Sequence, residues 1–513
     1  MNETHGEAFS QIEEATIAQL QEAMSSGRVT AERLVELYLE RIETIDRSGP
    51  TLKSVIEVNP ECLEIARALD RERADSGARG PLHGIPVLIK DNIATDDRMQ
   101  TTAGSLALVG SRVPRDAFVA RKLREAGAVI LGKTNLSEWA NFRGDASSSG
   151  WSGRGGQTRN PYMLDRSPCG SSSGSGAAIA ASLAAASLGT ETDGSILCPS
   201  AINALVGIKP TVGLTSRAGV VPIAHSQDTV GPMTRTVADA ALMLGAITGV
   251  DELDAATAAS KSLYHTDYTK FLDANGLRGA RIGVAREHYF GYSAKTDAVV
   301  NAAIERMREL GAEIIDNANI ASAKQMRSSE SEMTVLLYEF KADLNAYLAG
   351  LVESPVRSLA DVIAFNNAHA EEELLYFGHD LMVRAQETPS LEDQTYLDAL
   401  AENRRLAREE GIDAVMNEHK LDALVMPTTG PSWCIDHING DHHGGGCAQP
   451  AALAGYPAIT VPAGFTFELP IGITFMGRAY SEPTLIKLAY AFEQAMQARH
   501  APRYLPTLES VRD

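Results

Sequence analysis

The alternation of apolar and polar positions changes character twice along the chain. Leu34, Tyr38, Ile42 and Ile45 recur at helical spacing, which predicts a helix with Thr30 at its N-cap and Gly49-Pro50 beyond its end. From about residue 80, short apolar runs alternate with amphipathic stretches. Val87-Leu88-Ile89, Val129-Ile130-Leu131 and Val206-Gly207-Ile208 read as strands, and Ala120 to Ala126 as a helix. A Gly/Ser tract at 144–176 leads into an Ala-rich run, Ala177 to Leu188, that reads as helix. Residues 320–420, rich in Glu, Leu, Ala and Tyr, read as several helices. Strands return at Leu424-Val425-Met426, Ile459-Thr460-Val461 and Ile471 to Phe475. Leu485, Leu488, Ala489 and Phe492 then mark a closing amphipathic helix.

This alternation predicts an α/β fold whose central sheet is buried on both faces by helices. Neither an internal repeat nor a charged linker divides the chain, so the expected organisation is a single domain over 1–513. Within it lie an N-terminal helical segment at 1–75, a core at 76–250, a helical insertion at 320–420 and a return to the sheet at 421–513.

Composition narrows the function. With 66 acidic against 46 basic residues the formal net charge is −20, which argues against a nucleic-acid partner because phosphate binding needs a basic face. The start, Met1 to Glu7, lacks the basic and apolar regions of a secretory signal. Ala177 to Leu188 is shorter than the roughly 20 residues of a membrane span. Cys62, Cys169, Cys198, Cys434 and Cys447 are scattered and odd in number, and read as reduced thiols. The expectation is a cytoplasmic protein without membrane contact, monomeric or homo-oligomeric.

Candidate chemistry concentrates in Pro168-Cys169-Gly170-Ser171-Ser172-Ser173-Gly174-Ser175-Gly176 and in Gly189-Thr190-Glu191-Thr192-Asp193-Gly194-Ser195. A flexible linker is the bland reading of a Gly/Ser run, but this run sits inside the α/β alternation, where a floppy spacer would break a core. The tract lacks the Gly-Lys-Ser/Thr of a P-loop and the third glycine of a dinucleotide fingerprint. Gly170 to Gly174 matches a nucleophile elbow centred on Ser172, yet an elbow makes no use of Thr192-Asp193-Gly194-Ser195.

Five blocks in order resemble the amidase signature family. They are Gly84 to Asn92, Gly170 to Ala178, Gly189 to Ser195 with Pro199-Ser200-Ala201, Gly207-Ile208-Lys209-Pro210-Thr211, and Asp228 to Met233. The resemblance implies the fold of that family, a large mixed central sheet between helices, and an amidohydrolase of linear amides without cofactor or metal. It implies Ser195 as nucleophile, Ser171 as a bridging serine after a cis peptide bond, and Lys90 as base. It also implies an oxyanion hole from the backbone of Thr192, Asp193, Gly194 and Ser195. The chemistry fits: a serine hydroxyl needs a neighbouring base, and a lysine serves only when burial holds it neutral, as the apolar run before Lys90 suggests. Ser172 either supports this trio by hydrogen bonding or caps the helix that follows.

Many members of the family carry an arginine two or three residues after the nucleophile, where this chain has Leu197 and Cys198. Without that cation a neutral amide is favoured. The Ser195 to Pro199 spelling, Leu337 to Lys341 and Pro427-Thr428-Thr429-Gly430 are most similar to bacterial peptide amidases, which implies release of ammonia from C-terminal amides of peptides. General aliphatic or aryl amides, and a tRNA-dependent amidotransferase role that would require a partner chain, are the alternatives within the family. Outside it stands a metallohydrolase, because Cys434-x2-His437 and His442-His443-x3-Cys447 partly resemble a zinc site; a His/Gly-rich loop at a pocket rim is the bland reading.

Overall fold

The computed structural model describes residues 12–508; the segment Met1 to Glu7 lies outside them. Eleven strands form one mixed sheet: β1 (Val55–Val58), β2 (Pro86–Lys90), β3 (Val129–Thr134), β4 (Ala186–Glu191), β5 (Val206–Lys209), β6 (Thr229–Thr234), β7 (Arg281–Val284), β8 (Glu313–Ile315), β9 (Ala423–Pro427), β10 (Ala458–Thr466) and β11 (Leu469–Met476). Their spatial order is β1-β3-β2-β4-β6-β5-β10-β11-β9-β7-β8. β2 runs parallel to β3 and β4, and β7 parallel to β8 and β9; the remaining pairs are antiparallel.

Every strand read from an apolar run is present, extended by one or a few residues at its ends. The central strands are buried on both faces. Val87, Leu88 and Ile89 are all inaccessible, which is why the sequence there is continuously apolar rather than alternating. The helix predicted after Thr30 spans Ala31–Arg41, with the Thr30 side chain accepting the Arg33 N–H at 3.0 Å. It passes into a wider turn at Ile42–Arg47. The stretch 320–420 is helical as read, its longest element being Ser331–Ala349. The closing helix spans Glu482–Met496.

One prediction fails. The Ala-rich run is not one helix: the helix Ser173–Ala180 ends early, and Ala186–Glu191 forms β4. Pairing with β2 and β6 on its two sides overrides the helical propensity of alanine. The turn between helix and strand brings the serine tract back onto the sheet. Gly174 makes the approach possible, since a Cβ there would stand 2.3 Å from the Ser54 carbonyl oxygen.

The expectation of five reduced thiols is also overturned. Cys169 and Cys198 form a disulfide, leaving Cys62, Cys434 and Cys447 as thiols. Cys169 precedes the helix Ser173–Ala180 and Cys198 lies in the short helix Leu197–Ile202, with a helix and a strand between them, so no spacing rule announced the pair. The compartment inferred from reduced thiols loses that support. Among the described residues no helix is long and apolar enough to cross a membrane.

Candidate active site

Three elements deliver side chains to the C-terminal ends of the adjacent strands β2 and β4. β2 ends in Lys90, and its parallel neighbour β4 runs alongside in register, Ile89 opposite Leu188, so that Thr190 comes up beside Lys90. The N-terminus of the helix Ser173–Ala180 drops Ser171 and Ser172 onto both. Lys90 Nζ donates to Ser171 Oγ at 2.8 Å, Ser172 Oγ at 3.1 Å and Thr190 Oγ1 at 2.8 Å, with the Thr190 carbonyl at 3.3 Å. The side chains of Lys90, Ser171 and Ser172 are fully buried. Burial pulls the Lys90 ammonium down to about 7, while the carboxylates of Asp228 and Glu191 act in the opposite sense. An amine that titrates there spends much of its time neutral at physiological pH.

The Gly170–Ser171 peptide bond is cis. Ser172 sits at the N-cap position of its helix but makes no side-chain capping bond. Instead its hydroxyl accepts from Lys90 and the Thr190 N–H and donates to the Thr190 carbonyl at 3.0 Å.

Ser195 follows a tight turn after β4 in which Gly194 holds φ at +80°, a conformation that favours glycine. The buried Glu191 carboxylate organises the far side of this turn. Its Oε2 accepts the N–H groups of Ile196 at 2.7 Å and Leu197 at 2.9 Å, and the Gly194 N–H faces it as well. Burial pushes that carboxyl up, with Lys209 and these N–H groups pulling the other way. The Ser195 carbonyl accepts the Ser172 N–H at 3.3 Å, so the two serine-bearing segments touch through backbone. Among the described residues no hydrogen bond joins the hydroxyls of Ser171 and Ser195.

A cavity of about 550 Å³ opens directly over this junction. Gly170, Asp193 and Gly194 line it, together with Arg327, Trp433 and His443. Arg327 is a residue the sequence reading missed. The family's cation is absent at 197–198, yet a guanidinium from the helical stretch lines the cavity. Asp193 faces the cavity beside Glu332, and burial together with the like charge raises the Asp193 carboxyl well above its ordinary value. Glu332 is held by the amides of Gln227 and Gln449.

The His/Cys loop does not assemble. His437 Nε2 meets Gln157 Oε1 at 2.9 Å and its ring stacks on Tyr376. His443 Nε2 lies 3.0 Å from Thr429 Oγ1. Cys434 is exposed, whereas Cys447 is buried in the cavity wall. The His, Asp and Glu side chains that converge among the described residues are His225, Glu339 and Asp343. Their donor atoms are already engaged: Glu339 accepts from the Tyr396 hydroxyl and the Ser226 N–H, and Asp343 from the His225 N–H.

Serine hydroxyls, a buried lysine and a cavity thus meet at the ends of two adjacent strands, an arrangement suited to hydrolysis, and the comparisons with known proteins give the family. Residues 33–486 match the family described as Amidase, and the chain belongs to it. The crystal structure of native peptide amidase from Stenotrophomonas maltophilia superposes with a TM-score of 0.91 at 52% identity, covering 96% of this chain and 99% of that one. A protein named as a probable amidase of Arabidopsis thaliana is 46% identical over 501 residues, 96% of this chain and 92% of its own length. One chain of the glutamyl-tRNA(Gln) amidotransferase of Moorella thermoacetica is 34% identical over 499 residues, 94% of this chain and 96% of its own length. The eleven-stranded sheet is that of the amidase signature fold, and the chain is an amide hydrolase.

Proposed function

We propose that this amide hydrolase works through Ser195, Ser171 and Lys90, forms an acyl-enzyme, and acts on C-terminal amides of peptides with release of ammonia. The observation that carries the reading is the contact between the Lys90 amine and the Ser171 hydroxyl, 2.8 Å apart and both fully buried. A neutral amine so placed accepts the Ser171 proton as Ser171 accepts that of Ser195, whose oxygen attacks the carboxamide carbon. Backbone N–H groups of the Thr192–Ser195 turn stabilise the oxyanion, each worth roughly 100- to 1,000-fold in rate. The proton returns through Ser171 to the departing ammonia, and water then cleaves the ester by the same relay. Ser172 and Thr190 hold the amine aimed at Ser171.

Peptide amides are favoured for two reasons. A cavity of about 550 Å³ suits a substrate larger than a simple aliphatic amide. The solved peptide amidase is also more similar to this chain, at 52% identity, than the amidotransferase chain is at 34%. Ammonia release from an amidated dipeptide, an aliphatic amide and an anilide, measured with the purified single chain, tests the reading. The amidated dipeptide is expected to have the highest kcat/KM, and Ser195→Ala to lower it at least about a thousandfold. Activity only with a partner chain would favour the amidotransferase role, and an unimpaired Ser195→Ala would refute the mechanism.

A further inference from the structure

The disulfide joins the two segments whose relative placement the proposed relay depends on. Cys169 stands two residues before Ser171 and Cys198 three residues after Ser195, and their Cα atoms are 6.1 Å apart. Between them the chain makes a long excursion through the helix Ser173–Ala180 and the whole of β4. Hydrogen bonds also close this loop near the serines: Ser172 Oγ donates to the Thr190 carbonyl at 3.0 Å and accepts the Thr190 N–H at 3.2 Å. The Ser172 N–H reaches the Ser195 carbonyl at 3.3 Å, and Asn203 Nδ2 reaches the Pro168 carbonyl at 3.0 Å. With no hydrogen bond between the two hydroxyls among the described residues, their separation depends on how the two segments are held together.

We infer that Cys169 and Cys198 are positioning residues, a covalent tie that holds the Ser171 segment against the Ser195 segment. The inference rests on the functional reading given above, and it assigns to the pair a role in turnover beyond stability. Cys169 and Cys198 cluster with Ile202 and Trp433, and the indole Nε1–H is accepted by Asp441 at 3.0 Å while its ring meets His443 edge-on. The tie therefore supports the cavity wall as well as the serines. Cys169 and Cys198 line the cavity, so a small reductant that enters it meets the bond. A dithiol reductant supplies two electrons and two protons: the Sγ–Sγ bond breaks, two cysteine thiols form, and the reductant closes to its own disulfide. Misplacement of reacting groups by about 1 Å costs on the order of 100-fold in rate. The Asn203 and Ser172 bonds survive reduction, so the loss is partial.

The test begins with thiol counting on the denatured, unreduced protein, where three titratable thiols are expected and five would overturn the proposal. Turnover of an amidated dipeptide is then followed before and after dithiothreitol, well below the melting temperature. Reduction is expected to lower kcat about tenfold or more, with recovery on reoxidation. The double variant Cys169→Ser/Cys198→Ser is expected to match the reduced enzyme and to ignore dithiothreitol. A purely structural bond would lower the melting temperature and leave kcat unchanged, which refutes the positioning role. Hydrogen–deuterium exchange supplies a readout independent of activity: residues 169–175 and 194–199 are expected to exchange faster together on reduction. Unchanged exchange there overturns the tie. A protein whose two segments exchange faster on reduction but which cleaves no amidated peptide when oxidised would instead refute the functional reading.

Discussion

Thr192 Oγ1 donates to Asp228 Oδ1 at 2.6 Å, pinning the turn that leads to Ser195 against the loop before β6. The same carboxyl accepts the N–H groups of Ile223 and Ala224; burial pushes it up to about 6, against the pull of these hydrogen bonds. Asp228→Ala removes both accepting oxygens, so the turn loses its anchor. A fall in kcat of roughly tenfold is expected, within the range for a lost hydrogen bond to a charged group. Asp228 also acts on Lys90 at a distance, since its negative charge favours the ammonium. In Asp228→Ala the acid limb of the pH–rate profile should therefore move to lower pH. An unmoved limb would show that the two groups do not interact.

The pH dependence of the wild type follows from Lys90 itself. The lysine is competent as a base only when neutral, and burial brings its titration to about 7. The kcat/KM for a neutral amide is expected to fall as pH drops through about 7 and to level off above it. Lys90→Met should abolish the limb together with at least about a thousandfold of activity, while the melting temperature holds, because an apolar chain of similar length suits a fully buried site. Activity that persists to about pH 5 would mean that another group takes the proton.

How far the sequence announces this site depends on which physical signal each residue leaves. Strands β2, β3 and β5 are legible because a strand covered on both faces must be apolar throughout. Ala186 to Leu188 is illegible for a local reason: alanine and leucine suit a helix, and only pairing with β2 and β6 makes β4. An apolar run ending in lysine marks Lys90, but it equally marks Lys133 and Lys209, which are also buried and whose ammonium groups are likewise lowered, each to about 8. Lys133 donates to the Ile93 carbonyl and Lys209 to the Tyr456 carbonyl, whereas Lys90 meets serine hydroxyls. What separated them in the sequence was the family resemblance, not the pattern. Arg327 and Glu332 reach the cavity region from a distant helical stretch, and the Cys169–Cys198 pair spans an intervening helix and strand, so nothing local betrays either.

Arg143 carries a separate prediction about stability. Its guanidinium is wholly buried, 2.6 Å from Glu138 Oε1 and 3.6 Å from Glu373 Oε2, both carboxylates also inaccessible. It donates to the Phe377 carbonyl at 2.8 Å and lies 4.0 Å over the Phe377 ring. Burial and the Glu373 charge push the Glu138 carboxyl well above its ordinary value, with Arg143 opposing; Arg143→Ala removes that cation from two buried acids, and a loss of about 3–5 kcal/mol in unfolding free energy is expected. Denaturant melts of the two proteins check it. A change below about 1 kcal/mol would mean that the carboxyls are neutral in the native protein and that the ion pair does not exist.

His225 links the loop that carries Gln227 and Asp228 to the helix Ser331–Ala349, and it should make that link sensitive to pH. Its Nδ1 lies 2.9 Å from Asp343 Oδ2 and its Nε2 3.4 Å from Glu339 Oε1, while Arg217 donates to its carbonyl and Tyr396 to Glu339. The Asp343 hydrogen bond, aided by the Glu339 charge and opposed by burial and Arg217, raises the imidazolium above its ordinary value. A histidine raised on folding stabilises the native state fully below the unfolded value near 6.5 and loses that contribution as pH climbs through the folded one. Wild type and His225→Gln should therefore differ most in melting temperature at about pH 5.5 and converge towards about pH 9. The side chain is 46% exposed, so solvent screening keeps the difference modest. A gap in melting temperature that stays constant across that range would show that the imidazole serves only as a neutral hydrogen-bond partner.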